Sequence, residues 1–220
     1  MPEISDIELS TLKPEEVSLA AGVAARGMRD NPSSIALFGR DPARRERALE
    51  PTYHWILSSS KRPCLVAKRD GRIVGLAALA PPDQCFFRQI ASRQKTVRIG
   101  QMRLGIAVPS VPWHLLFPLL RLGFGALGRL STWGEVGMQH DPDERHQHIE
   151  LVVVDADLQG QGIGGKMMDE LCREIDELPD VSYLETDKPE NVRFYERFGF
   201  KVSGESTVLE TRVWYMERRH

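Results

Sequence analysis

The sequence is poor in cysteine, with only Cys64, Cys85 and Cys172 in 220 residues. They are far apart, odd in number and form no C-x-x-C pair, which argues against a disulfide framework or a thiolate metal site and leads us to expect a reducing, cytoplasmic setting. Charge of one sign is not in excess either: 29 Lys and Arg against 31 Asp and Glu leave a formal charge of −2. That balance gives no basis for wholesale binding to nucleic acid or to an acidic membrane. Long clean apolar runs are missing as well. The most apolar stretch, Val111 to Leu130, is interrupted by His114, Pro118, Arg121 and Arg129, so it does not supply the ~20 apolar residues a bilayer span needs. The opening MPEISDIELSTLKPEE is acidic and has no apolar segment, so no signal peptide is expected. What remains, 41% hydrophobic and 27% charged residues, is the composition of a globular protein, and the length favours one domain.

Pro14-Glu15-Glu16 opens a helical pattern through Val17, Ala20, Ala21, Ala24 and Met28 that Asn31-Pro32 stops. Asp41-Pro42 opens a second helix, which runs to the Ser58–Ser60 cluster. Two β-rich runs flank Asp70-Gly71 and predict a tight hairpin ending at Pro81-Pro82. Residues 83–147 carry little period; Val111 to Leu130 reads as one or two helices, and the segment as an insertion or cap. From Gln84 to Gly134 there are seven Arg or Lys and no acid, whereas Glu135 to Glu190 holds 16 acids and four bases. Such segregation usually marks a solvated face. Further on, His148 to Val154 reads as a strand. Gly162 to Leu178 reads as a helix with Ile163, Met167, Leu171, Ile175 and Leu178 on one face. Val181 to Thr186 is a second strand, Pro189 opens a short helix closed by Gly199, and Phe200–Val208 with Arg212–Glu217 form an antiparallel pair. The order predicts a mixed α/β sheet.

The loop Gln159-Gly160-Gln161-Gly162-Ile163-Gly164-Gly165-Lys166 satisfies three patterns. Gly160, Gly162 and Gly165 spell the G-x-G-x-x-G of dinucleotide binders, with Glu185 some way on; but Asp155 to Gln159 separate the loop from its strand, and too little chain follows for that fold. Gly160, Gly165 and Lys166 also spell G-x-x-x-x-G-K, yet Met167 stands where a P-loop needs a hydroxyl for Mg²⁺. The third pattern is Gln-x-x-Gly-x-Gly between a strand and a long helix. There, glycines admit a pyrophosphate to the backbone, and the N–H groups and dipole of the helix N-terminus receive its charge.

With this loop, Glu185-Thr186, Pro189-Glu190-Asn191 and Phe194-Tyr195-Glu196-Arg197-Phe198-Gly199-Phe200, the chain resembles the GNAT superfamily of N-acetyltransferases, closely from Gln147 to the C-terminus. Ala156 departs from the proline many relatives have there. The resemblance implies a mixed, mostly antiparallel sheet with a central parallel strand pair, flanked by helices, with a helical insertion before the fourth strand. It divides one 1–220 acetyltransferase domain into N-terminal helices and hairpin (1–82), insertion (83–147) and acetyl-CoA-binding core (148–220). It also implies that acetyl-CoA lays its pantetheine arm along Val152, Val153 and Val154. The pyrophosphate would lie on Gln159, Gly160, Gln161, Gly162, Ile163, Gly164 and Gly165, with Asn191 touching the cofactor from the next helix.

Tyr195 occupies the family's phenol position, which protonates the departing coenzyme A thiolate and borders the cofactor. The amine arrives as an ammonium and needs a base. His148 and Glu150 alternate along the strand onto one face, with Glu150 nearer the implied bulge; either one, or a water relay, takes the proton. His146, His148 and Glu150 lack the spacing of a helical metal motif, so no metal is expected. The acids Glu135, Asp141, Asp143, Glu144 and Glu150 suggest a negative rim and a cationic amine. The reading is therefore acetyl transfer to a small primary amine by direct attack in a ternary complex, without nucleic acid or membrane, by a monomer or homodimer. A non-catalytic acyl-CoA-binding sensor or interaction module is the alternative.

Overall fold

Strand β1 (Glu8–Thr11) and a 3-10 turn at Pro14–Glu16 lead into helices α1 (Val17–Met28), α2 (Pro32–Phe38) and α3 (Pro42–Ser59). Hairpin β2 (Leu65–Arg69) and β3 (Arg72–Ala80) follows, then hairpin β4 (Lys95–Ile99) and β5 (Met102–Ile106), and helix α4 (Phe124–His140). The remainder is β6 (His146–Val154), α5 (Ile163–Asp176), β7 (Val181–Thr186), α6 (Pro189–Glu196), β8 (Lys201–Val208) and β9 (Thr211–Arg218). This computed structural model describes residues 6–60, 62–82, 95–99, 102–106 and 124–219. Seven strands form one sheet in the order β1-β2-β3-β6-β7-β9-β8. Every neighbouring pair is antiparallel except the central β6–β7.

The turn chemistry behaves as the sequence predicts. Asp70 (φ 50°) and Gly71 (φ 73°) both take the left-handed conformation that a two-residue hairpin turn requires. The Asp41 carboxylate accepts the Ala43 N–H (3.0 Å) and Arg44 N–H (3.4 Å) at the start of α3, a cap worth about 1 kcal/mol. Asn31-Pro32 does more than stop α1, because Pro32 takes the first position of α2, a helix the periodicity did not predict. Strand β1 was missed because four residues carry too little alternation. The segment before β6, the fourth strand of the sheet along the chain, contains the β4–β5 hairpin as well as α4. Of the expected helical stretch Val111 to Leu130, residues 124–130 fall in α4 and 111–123 lie outside the described residues, as does Cys85.

Leu151 and Val153 of β6 pack into a core with Ala20, Val23 and Ala24 of α1 and Leu49 and Leu57 of α3. Ile149 and Val152 pack on the other face with Met168, Leu171 and Ile175 of α5 and Tyr195 of α6. Each such buried side chain contributes about 1.5–3 kcal/mol. Helix α1 lies so close to β6 that a Cβ at Gly27 would collide with the Val153 side chain and the Val154 carbonyl oxygen. None of the described helices is long and apolar enough to cross a membrane.

Candidate active site

Strands β6 and β7 pair only at His146–Val181, Gln147–Ser182 and His148–Tyr183. Beyond His148, β6 keeps its partner β3 on one side and has no strand on the side facing β7. The register with β3 slips there, since Ala78 faces Leu151 and Leu79 faces Ile149, so Glu150 is the extra, bulged residue. The bulge resets the alternation: Ile149 shares a face with Val152 rather than with Leu151. His148 and Glu150 therefore do not share a face through simple alternation, although both line one cavity.

That cavity, about 220 Å³, lies between the parted strands and helices α1–α4. His148, Glu150, Val152, Asn191 and Tyr195 all border it. Tyr195 is 8% exposed; burial pushes its phenol well above the ordinary value, and the charge of Asp187 adds to the effect. The phenol thus holds its proton at working pH, as an acid must. Burial likewise pushes up the thiols of Cys64 and Cys172, making both poor nucleophiles. His148 is buried, with Nε2 2.7 Å from Glu185 Oε2.

The glycine loop leaves β6 through a 3-10 turn at Ala156–Leu158 and enters α5 at Gly162, whose φ of 83° is left-handed. Lys166 N–H reaches back to the Gly162 carbonyl (3.1 Å), so the N–H groups ahead of it, from Ile163 to Gly165, have no earlier turn of helix to bond to. No Cβ contact would arise within 4 Å at Gly160 or Gly165, which leaves the loop surface open. Lys166 Nζ is bonded to the Ile7 carbonyl (2.6 Å), away from the role of a P-loop lysine. The Glu185 carboxylate faces His148 rather than a ribose site, so the dinucleotide pattern has no structural counterpart. Gln159 Nε2 donates to the carbonyls of Gly27 (3.2 Å) and Val154 (3.1 Å), tying the loop to α1 and occupying one acceptor on the proposed pantetheine strand. Gln161 Oε1 accepts from Arg69 (3.2 Å), which brings a cation beside the loop.

A strand splay, a bulged carboxylate and a buried phenol meet at one cavity, and residues 125–202 match the family model for an acetyltransferase (GNAT) domain. Over that segment the chain is similar to a GNAT acetyltransferase domain. A histone acetyltransferase-related protein from Corynebacterium glutamicum matches with a TM-score of 0.63 and 13% identity, over 97% of this chain and 96% of that one. A polyamine N-acetyltransferase from Drosophila melanogaster that forms N-acetylagmatine matches at 0.61 and 15%, over 98% and 100%. The PaiA N-acetyltransferase of Thermoplasma acidophilum, in complex with coenzyme A, matches at 0.55 and 13%, over 97% and 99%. At these identities the likeness is one of fold.

Two carboxylates were given no site role by the sequence. Glu185 holds His148, and Asp187, 9% exposed, accepts the Ser33 N–H at the start of α2 (2.7 Å). Both line the cavity, and only their position at the end of the strand opposite His148 hinted at it. Of the acids expected to form a rim, Glu150 alone lines the cavity. Asp141 pairs with His146 (3.1 Å), Glu144 with Arg219 and Glu135 with Ser131. Asp141, His146 and His148 each offer a ligand atom within 4.8 Å of one another, a grouping that could hold a cation. In it, His146 Nδ1 lies 2.9 Å from the Glu144 carbonyl oxygen and Nε2 lies 3.1 Å from Asp141 Oδ1.

Proposed function

We propose that this chain is an acetyl-CoA-dependent N-acetyltransferase that acetylates a primary amine by direct attack in a ternary complex. The observation that carries the reading is the meeting of Glu150, on the β6 bulge, and Tyr195, a buried protonated phenol, in one cavity where β6 and β7 part. The open edge of β6 at Val152 and Val153 suits an extended amide-bearing arm, and the start of α5 suits a pyrophosphate. A backbone N–H of that edge polarises the thioester carbonyl. Glu150 takes the ammonium proton, directly or through a water, and the freed nitrogen attacks the carbonyl carbon. Tyr195 gives its proton to the sulfur as the C–S bond breaks. His148, held by Glu185, is the second candidate for the base. The raised thiols of Cys64 and Cys172 favour this route over an acyl-cysteine intermediate.

Thiol release from acetyl-CoA on addition of primary amines tests the reading. We expect amine-dependent release that falls 10²–10⁴-fold in Glu150→Gln and less in His148→Asn. The reverse order would move the base to His148. Tight coenzyme binding without release by any amine would make the chain an acyl-CoA sensor.

A further inference from the structure

Charge and apolarity are segregated within the cavity. Its carboxylates, Glu150, Glu185 and Asp187, all come from β6, the end of β7 and the residue that follows it. The opposite walls come from the helices and are mainly apolar: Leu37 and Phe38 of α2, Leu49 and Ile56 of α3, and Leu130 and Trp133 of α4, with the hydroxyls of Ser34, Thr52 and Tyr53 among them. Among the described residues no Lys or Arg lines the cavity. Glu185 faces His148 and Asp187 accepts the Ser33 N–H, so the negative charge is confined to the sheet end, which suits an ammonium beside the bulge.

We infer that the acceptor is a hydrophobic primary monoamine, an ammonium on a short aryl-alkyl or branched alkyl body. This deepens the acetyltransferase reading and rests on it for the chemistry, though not for the fit. A diamine would place its second cation against the wall of Leu49, Leu130 and Trp133, where desolvation is met by hydroxyls and by no carboxylate among the described residues. A carboxylate-bearing amine would bring its negative charge to three acids with no cation among the described wall residues to meet it. An apolar body instead buries its surface against the helices while its ammonium stays at the sheet. Helix α4 thereby becomes a specificity element, because it supplies Leu130 and Trp133 to the wall.

Binding of 2-phenylethylamine, putrescine and phenylalanine to the full chain saturated with coenzyme A, measured by calorimetry, tests the fit without turnover. We expect 2-phenylethylamine to bind at least tenfold more tightly than either of the others. Equal or tighter binding of putrescine or phenylalanine, or no binding of 2-phenylethylamine, would overturn the inference. Leu130→Glu, at a half-buried wall position, should raise putrescine affinity tenfold or more and weaken 2-phenylethylamine; the opposite shift would also overturn it. Thiol release with the same amines separates the two levels: a bound monoamine that releases no thiol leaves the pocket assignment standing and removes the acetyltransferase reading.

Discussion

Replacing Tyr195 by Phe removes one oxygen and little else. The ring keeps its edge contact with Phe194, centroids 5.1 Å apart, and with Phe200 at 6.1 Å, so the fold around α6 is retained. If the phenol protonates the departing thiolate, its contribution is realised at the transition state, and kcat falls by about 10²–10⁴, the usual range for a positioned general acid. At 1.36 kcal/mol per decade that is about 2.7–5.4 kcal/mol. If the phenol only touches bound acetyl-CoA, a neutral hydrogen bond worth about 0.5–1.5 kcal/mol is lost, and the damage appears as a change in affinity of no more than about tenfold. Steady-state thiol release combined with calorimetric acetyl-CoA affinity on the same preparation separates the cases. We expect the loss in kcat to exceed the loss in affinity by tenfold or more. Equal losses would recast Tyr195 as a cofactor contact, and an unchanged kcat would remove the acid role. A third readout bears on the electrostatics: burial and Asp187 hold the phenol above its ordinary value near 10, so wild-type kcat should show no descending limb between pH 7 and 9 that disappears in Tyr195→Phe. Such a limb would refute the environment argued for the residue.

Gly162→Asp should abolish measurable acetyl-CoA binding by calorimetry, because it forces a side chain into a left-handed position (φ 83°), at about 1–2 kcal/mol, and sets a negative charge where the pyrophosphate is proposed to lie. Unchanged affinity in a folded variant would count against the loop assignment. Tyr53 and Tyr195 both titrate higher in the folded chain than the ordinary 10.0, mainly through burial. The stability they contribute is therefore complete below pH 10 and is lost as the pH rises beyond it. Urea midpoints should fall more between pH 9.5 and 11 for the wild type than for the Tyr53→Phe, Tyr195→Phe double variant. Chelation should leave thiol release and melting temperature unchanged, since no step is assigned to the Asp141, His146 and His148 grouping; a chelator-sensitive activity restored by one divalent ion would overturn that.

The glycine-loop half of the proposed site has a local structure that was legible, because it is written in consecutive residues. Gly160, Gly162 and Gly165 announce a backbone that must turn left-handed and stay bare, and Gly160 (φ 77°) and Gly162 (φ 83°) do turn left-handed. Strand β7 runs over the predicted residues, and α5 ends two residues early, at Asp176. The cavity half was illegible for the converse reason. Phe38, Leu49, Trp133 and Glu185 are brought to one cavity from four elements, and no local period records that meeting. The acid-rich composition pointed toward a cationic partner but named the wrong carboxylates, because Asp141 and Glu144 are taken up by His146 and Arg219 while Glu185 and Asp187 face the cavity.

The bulge at Glu150 links the two halves. Were Glu150 paired in a regular ladder rather than bulged, strict alternation would carry Ile149 and Leu151 to the same face. The slip between Ala78 and Leu79 instead sends Leu151 and Val153 to the α1–α3 core and Val152 to the α5–α6 core. It falls one residue beyond the last β6–β7 pair, His148–Tyr183. Strand parting, which opens the edge of β6, and strand bulging, which sets a carboxylate apart from the core packing, thus occur at consecutive residues. A variant that deletes Glu150 makes Ile149 and Leu151 ordinary neighbours opposite Leu79 and Ala78, on the faces they already occupy. It should therefore keep the packing of Leu151 and Val153 on α1 and α3, retain most of the stability and coenzyme binding, and lose turnover as Glu150→Gln does. Finding the deletion far less stable than the substitution would show that the bulge itself is required by the fold.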